Sequence, residues 1–373
     1  MTRVHEGARI ALVQAGLGAG GTEKVLARLA RHLDGQGYRV TILAIWGMPD
    51  AAYYPVPESV EIRTMVAEKG ARAALRTFAR IRWLRAALRG QEVVLSCLTK
   101  INVQVALATA GLGLRRIASE RNNFLVQRMN PIWRYAMPMA LATADRAVMQ
   151  TEAARAALPA FARGRAVVIP NAVEVPERQP DLPGPAIVAV GRLAEQKGFD
   201  TLIGAVSEAA KRGSDMHVTI YGAGEDREAL FALSERLGVA RLIDLAGPSP
   251  TPHAWTRAPG IFVLSSRFEG FPNVLVEAMA AGFAVIATDC DWGPREILRH
   301  GREGVLIPVG DIDALADALI RLHDDADLRE RLGRAARLRA TAFAEERILS
   351  AWERVILGVP GSLGPAEPRP TPG

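Results

Sequence analysis

The sequence predicts an α/β chain of two doubly wound parallel sheets, and three observations carry that reading. Short β-branched apolar runs alternate with longer stretches of helical period through both halves. The alternation breaks once, at Pro176 to Pro185, where four prolines fall in ten residues and a linker or exposed crossing is expected. With 373 residues the chain also exceeds one ordinary core. The expected domains are 1–175 and 176–357, with a cleft between them where strand ends face one another.

In order, Arg9 to Gln14 reads as a strand, Thr22 to Leu33 as a helix and Tyr38 to Trp46 as a second strand. Val93 to Cys97, Ile117 to Glu120 and Ala147 to Thr151 follow as strands with helical stretches between. After the prolines come Ala186 to Gly191 (strand), Asp200 to Arg212 (helix), His217 to Gly222 (strand), Glu225 to Leu237 (helix) and Leu242 to Ala246 (strand). Ile261 to Ser265 and Ala284 to Thr288 are strands around a helix at Val274 to Ala281, and Asp313 to His323 is a helix. The final helix, Glu345 to Leu357, is expected to pack back toward the first domain. The tail 358–373, rich in Pro and Gly, is expected to be disordered.

Hydrophobic residues make up 49% and charged residues 23%, which is ordinary for a soluble globular protein. A net charge of +6 suits anionic partners: nucleotide, nucleic acid or an acidic membrane face. Cys97 and Cys290 lie far apart with no ligand-spaced neighbours, which excludes a disulfide framework or zinc cluster and fits a reducing compartment. The N-terminus has Arg3 and Arg9 before an apolar run, but Glu6 interrupts the basic region, so a cytoplasmic start is expected rather than a secretion signal. No apolar run reaches the roughly 18 residues of a membrane span; Pro131 to Met149 is broken by Arg134 and Asp145.

Between Lys69 and Gly90, Arg72, Arg76, Arg80, Arg82, Arg85 and Arg89 alternate with Leu75, Phe78, Ile81, Leu84 and Leu88 at three- and four-residue steps. Such a helix suits an anionic membrane surface, with Trp83 at its margin. It equally suits a surface helix packed on the sheet with solvated arginines outside.

The most informative stretch is Ser265 to Ala280, a strand end, a tight loop and a helix start. Glu269 lies in the loop and Glu277 eight residues on, about one turn into the helix. Pro272 suits the first helical position, so first-turn N–H groups should point out of the strand ends and attract an anion. Two carboxylates flanking an anion site suit a nucleotide sugar; they also suit a helix start whose dipole favours acids.

Gly16, Gly18 and Gly21 match GxGxxG, but the second strand ends Ala44-Ile45-Trp46-Gly47 with no acid for a ribose, which argues against a nicotinamide cofactor. Gly20 and Gly21 remain candidates for phosphate approach. After the first strand of the second half, Arg192 offers a donor fork and Lys197 a mobile charge, suited to one diphosphate or to surface ion pairs. Asp289-Cys290-Asp291 reads as a turn rather than a metal site, and no histidine has ligand spacing. Ser119-Glu120-Arg121-Asn122-Asn123 follows a strand and suits either acceptor contact or turn chemistry.

Taken together, Gly20-Gly21-Thr22-Glu23, Ile169-Pro170-Asn171, Gly191-Arg192-Leu193 with Gln196-Lys197-Gly198, Gly222-Ala223-Gly224, and Glu269 with Glu277 resemble the retaining GT-B glycosyltransferases of family 4. The resemblance runs over residues 8–357. Ser119-Glu120-Arg121-Asn122 looks like the subgroup that builds bacterial surface polysaccharides and lipid-linked oligosaccharides. The resemblance implies a GT-B fold and transfer of a hexose or N-acetylhexosamine from a UDP-sugar to a lipid-linked or polysaccharide acceptor, without metal or nucleic acid. It places Glu269 and the backbone of Gly270, Phe271 and Pro272 against the donor sugar, and Glu277 on the ribose. Arg192, Lys197, Gly21 and the amides near Asn273 and Val274 would hold the diphosphate. With Gly20 and Gly222 these form the expected donor site; Glu120, Arg121 and Asn122 are expected on the acceptor side. One departure stands out: many members carry a histidine facing the donor sugar in the first half, where this chain has Glu120 or Arg121. A sugar-nucleotide epimerase of the same fold and a non-catalytic nucleotide-sugar-binding protein are the rival readings.

Overall fold

In the computed structural model all residues are described except 1–4, 19, 67–75, 127–129, 177–183, 252, 258, 300 and 360–373. The chain divides into two compact units. The first runs to Ala172 and takes in the C-terminal helix from Glu346; the second runs from Val173 to Glu345.

The first unit holds a seven-stranded parallel sheet in the order β3-β2-β1-β4-β5-β6-β7. Its strands are β1 (Arg9–Gln14), β2 (Arg39–Trp46), β3 (Glu61–Val66), β4 (Val93–Cys97), β5 (Arg115–Ser119), β6 (Arg146–Met149) and β7 (Ala166–Val168). Successive side chains of β1 serve opposite faces, as period two demands. Ile10 and Leu12 pack with Leu26, Leu29 and Leu33 of the Gly21–Gly35 helix and with Trp352 and Ile356 of the Glu345–Leu357 helix. Ala11 and Val13 pack with Leu84 and Leu88 of the Thr77–Leu88 helix and with Ile101 and Val105 of the Thr99–Ala108 helix. Burial on both faces is why these strands read as continuous apolar runs.

The second unit is a six-stranded parallel sheet in the order β10-β9-β8-β11-β12-β13, from β8 (Ile187–Val190), β9 (Val218–Tyr221), β10 (Ile243–Gly247), β11 (Ile261–Leu264), β12 (Ala284–Thr288) and β13 (Val305–Ile307). One face is covered by Leu202, Ile203 and Val206 of the Phe199–Lys211 helix and Leu315, Leu319 and Leu322 of the Ile312–Asp324 helix. Leu275 and Met279 of the Asn273–Ala280 helix pack with Phe262, Phe283, Ala336 and Ala340 on the other. Each fully buried Leu or Phe contributes about 1.5–3 kcal/mol. Both sheets reverse strand order beside their first strand, at β1/β4 and at β8/β11. Ligands of open α/β sheets bind beyond the carboxyl ends at such points.

Several elements differ from the sequence reading. β3, β7 and β13 lie at sheet edges and are short or half exposed, so they lack an apolar run. The Ala326–Ala340 helix was not anticipated because its buried face uses Gly333, Ala336, Ala340 and even Arg339, whose guanidinium donates to the Ile297 carbonyl. Pro272 precedes its helix rather than opening it, with φ −77° and ψ 85°, so Asn273 is the first helical residue. In the basic stretch, helix forms over Thr77–Leu88, and the apolar side chains Leu84 and Leu88 are buried on the sheet; residues 67–75 lie outside the described set. So do most of the proline-rich linker and the tail from 360 onward. Among the described residues no helix is long and apolar enough to cross a membrane.

Candidate active site

The loops leaving β8 and β11 meet at the reversal point of the second sheet. Lys197, in a short 3-10 turn at Glu195–Lys197, donates from Nζ to Glu269 Oε1 at 2.6 Å. Ser266 Oγ donates to the same carboxylate oxygen at 2.7 Å. Glu269 is 5% exposed, so its charge is compensated inside the fold, as a buried carboxylate requires. Arg192, five residues before Lys197, is exposed and has no ion-pair partner among the described residues. Two cationic groups therefore stand at one strand end, one tethered by a carboxylate and one open.

Close backbone approach shapes the same loops. A Cβ on Gly222 would collide with the Gly191 carbonyl oxygen, so the β9 loop lies directly on the β8 loop. Gly198, with φ +60°, lies against the Ser265 carbonyl oxygen, where again no Cβ fits. Gly270 leads from Glu269 to Phe271, which is buried and packs edge-on against Phe343 at 6.0 Å. The Asn273 N–H is turned back to the Phe271 carbonyl at 3.0 Å. Of the two amides expected on the diphosphate, Asn273's is thus already engaged internally, while Val274 follows as the second residue of the helix. Glu277 Oε2 lies 3.9 Å from His253 Nδ1, a residue with left-handed backbone at φ 65°. His253 has no spacing signal in the sequence; only the tertiary fold brings it to Glu277.

Asp289 is held by Arg295, whose Nε donates to Asp289 Oδ1 at 2.9 Å. Burial, with Glu269 nearby, pushes the Cys290 thiol up to about 12. Among the described residues no cluster of three or more His, Cys, Asp or Glu side chains has metal-binding geometry.

In the first unit most of the expected residues are engaged within the fold. Trp46 covers Gly16, so the position where a dinucleotide fold keeps an acid is filled by indole packed on the glycine loop. The Glu23 carboxylate folds back over Gly20, at the start of the helix that begins with Gly21; burial raises its pKa. Glu120 is 1% exposed. Its Oε2 accepts from Thr99 Oγ1 at 2.6 Å, and its Oε1 accepts the N–H groups of Arg121 and Asn122 at 3.0 and 3.2 Å. Burial raises its pKa against those bonds. Arg121 is also buried: Nη2 donates to Asn171 Oδ1, and the guanidinium lies 5.7 Å from the Trp352 ring. Burial lowers its pKa to about 10. Asn122 is exposed. Trp352, more than two hundred residues away along the chain, carries no sequence signal for this contact.

Two family models match the chain: "Glycosyltransferase Family 4" over residues 19–176 and "Glycosyl transferases group 1" over residues 174–339. An exopolysaccharide phosphotransferase of Streptomyces coelicolor is 36% identical over 193 residues, 51% of this chain and 20% of that protein. An uncharacterized glycosyltransferase of Haemophilus influenzae is 26% identical over 91% of this chain and 96% of its own length. A Campylobacter jejuni N-acetylgalactosaminyltransferase, named for an N-acetylgalactosamine-N,N'-diacetylbacillosaminyl-diphospho-undecaprenol acceptor, is 31% identical over 46% of each chain. The chain thus spans a fifth of the Streptomyces relative and under half of the Campylobacter one. Among solved structures, sucrose-phosphate synthase from Thermosynechococcus elongatus superposes with a TM-score of 0.78 at 18% identity, covering 93% of this chain and 98% of that one. Anabaena HepE, solved with UDP, superposes with a TM-score of 0.77 at 18% identity over 94% and 100%. These likenesses give the fold, which is GT-B.

Proposed function

The chain belongs to the group 1 glycosyltransferases, its first half to family 4, and from that premise we propose that it transfers a hexose or N-acetylhexosamine from a UDP-sugar to a lipid-linked or polysaccharide acceptor, with retention and without a metal. The observation that carries the reading is the Lys197–Glu269 pair at 2.6 Å beyond the reversal point of the second sheet, with Ser266 on the same carboxylate and Arg192 open beside it. An arriving diphosphate competes with Glu269 for the Lys197 ammonium and takes the Arg192 fork bidentately. That exchange leaves the Glu269 carboxylate beside the donor sugar while cations hold the leaving group, where charge develops in the transition state. Glu277, near His253, takes the ribose hydroxyls. The departing phosphate accepts the acceptor proton, so retention needs no side-chain base. The UDP bound by HepE and the lipid-linked acceptor named for the Campylobacter relative support donor and acceptor class.

A UDP-sugar panel with and without diphospholipid and saccharide acceptors tests this. Product with the donor's anomeric configuration, formed equally in EDTA, is the expected result. An epimerised nucleotide sugar appearing without acceptor would overturn it.

The proposed location is the cytoplasmic face of a membrane. From Lys69 to Ala144 the only acids are Glu92 and Glu120, and Phe78, Ile132, Tyr135 and Met139 are exposed on helices in this stretch. Salt-sensitive binding to anionic vesicles is expected; equal binding to neutral vesicles would remove the electrostatic part.

A further inference from the structure

Four hydrogen bonds and an ion pair join the two loops that carry Lys197 and Glu269, and most of them pass through one side chain and its neighbours. The Arg267 N–H donates to the Gln196 carbonyl at 2.8 Å. Gln196 Nε2 returns a bond to the Phe268 carbonyl at 3.0 Å, and Ser265 Oγ donates to the Lys197 carbonyl at 2.8 Å. The Arg267 guanidinium then reaches outward. Nη1 donates to the Glu195 carbonyl at 2.7 Å and to Asp200 Oδ1 at 2.9 Å, while Nη2 donates to Asp200 Oδ2 at 2.6 Å. Asp200 sits in the first turn of the Phe199–Lys211 helix, so the fork ties the Glu269 loop to a rigid element as well as to the Lys197 turn. The guanidinium lines a groove of about 500 Å³ with Glu195, Phe199, Asp200, Asp226 and Leu230, and neither Lys197 nor Glu269 lines that groove.

We propose that Arg267, through its bidentate pair with Asp200, is a positioning residue that sets the register of Lys197 against Glu269 from outside the donor site. Three observations carry the proposal. Lys197 and Glu269 lie on separate loops, so their 2.6 Å contact depends on how the loops are held, and a displacement of about 1 Å at a reacting centre is worth about a hundredfold in rate. Gly198 sits directly on the Ser265 carbonyl, so the two loops touch there and a shift of one against the other at the Arg267 fork is passed on to the Lys197–Glu269 contact. Finally, a planar fork fixes direction as well as distance, which a lysine at the same place would not.

The catalytic part of this inference rests on the proposed transfer reaction, so the test has two arms. In the first, hydrogen exchange of the full-length protein without ligand compares wild type with R267A, R267K, D200N and the reversal R267D/D200R. Amide exchange confined to 195–199 and 265–270 should rise at least tenfold in R267A and D200N and return toward wild type in the reversal. Unchanged exchange there, or a rise spread over the whole second unit, overturns the proposal whether or not any substrate is found. The second arm uses whichever UDP-sugar turns over: kcat should fall about ten- to a hundredfold in R267A with donor KM within about threefold. R267K should be intermediate and the reversal should recover most of the rate. A kcat that stays at the wild-type value, or losses that follow melting temperature across the series with no recovery in the reversal, would also overturn it. Absence of turnover with every UDP-sugar would count against the proposed function and leave the first arm to decide the clamp.

Discussion

Beyond the carboxyl ends of their strands the two units carry charged residues at comparable places and use them in opposite ways. In the second unit Lys197 and Glu269 are paired, but the Lys197 side chain is still 17% exposed, and Arg192 is open to solvent. In the first unit Glu120 and Arg121 are buried and committed: Glu120 to Thr99 and two backbone amides, Arg121 to Asn171 and the face of Trp352. A charge that a ligand can reach can be exchanged for a ligand's charge. A charge satisfied inside the fold holds a loop in place. Glu120 and Arg121 of the first unit are therefore committed within the fold, while in the second unit Lys197 is tethered by one carboxylate and Arg192 is open.

The sharpest way to break this contrast is to remove one charge from each side. Glu269→Ala should lower turnover by about 10²–10³-fold, leaving UDP affinity within about threefold by calorimetry, because Arg192 and Lys197 remain. Turnover at the wild-type level would strip Glu269 of its role. Arg121→Ala should instead act on folding. Losing the Asn171 bond and the packing on Trp352 in a buried setting should cost about 3 kcal/mol in chemical denaturation. If the folded fraction showed large losses of activity without loss of stability, Arg121 would belong with the reactive groups and the contrast would fail.

How much of this was legible in the sequence follows the same division. Both sheets and their central strands could be read because parallel strands buried on two faces are unbroken apolar runs. The edge strands β3, β7 and β13 could not, since half-exposed three- to six-residue segments carry no such signal. The placement of Glu269, Lys197 and Arg192 in loops directly after strong strands was legible, because β8 and β11 are apolar runs. Glu120 and Arg121 also follow a strand, and nothing in the sequence separates a residue that faces solvent there from one that is drawn under a helix 230 residues away. Burial is a tertiary quantity, and Trp352, His253 and the Arg267–Asp200 pair all enter through contacts with distant segments.

The smallest expected effect tests the buried side of the contrast through pH. Burial raises the Glu120 pKa above its ordinary 4.5. Between the unfolded value and the raised folded one, the native state binds more protons than the unfolded state, so stability falls as pH rises through that window and levels off above it. Glu120→Gln keeps an acceptor oxygen for the Arg121 and Asn122 amides but cannot ionise. Its denaturation midpoint should therefore fall less than that of wild type on going from pH 4.5 to pH 7.5, with the two proteins closest at the acidic end. Parallel pH profiles for the two would mean that the hydrogen bonds from Thr99, Arg121 and Asn122 fully offset burial. Glu120 would then be a carboxylate whose protein donors fully replace the water it has lost, despite its 1% exposure.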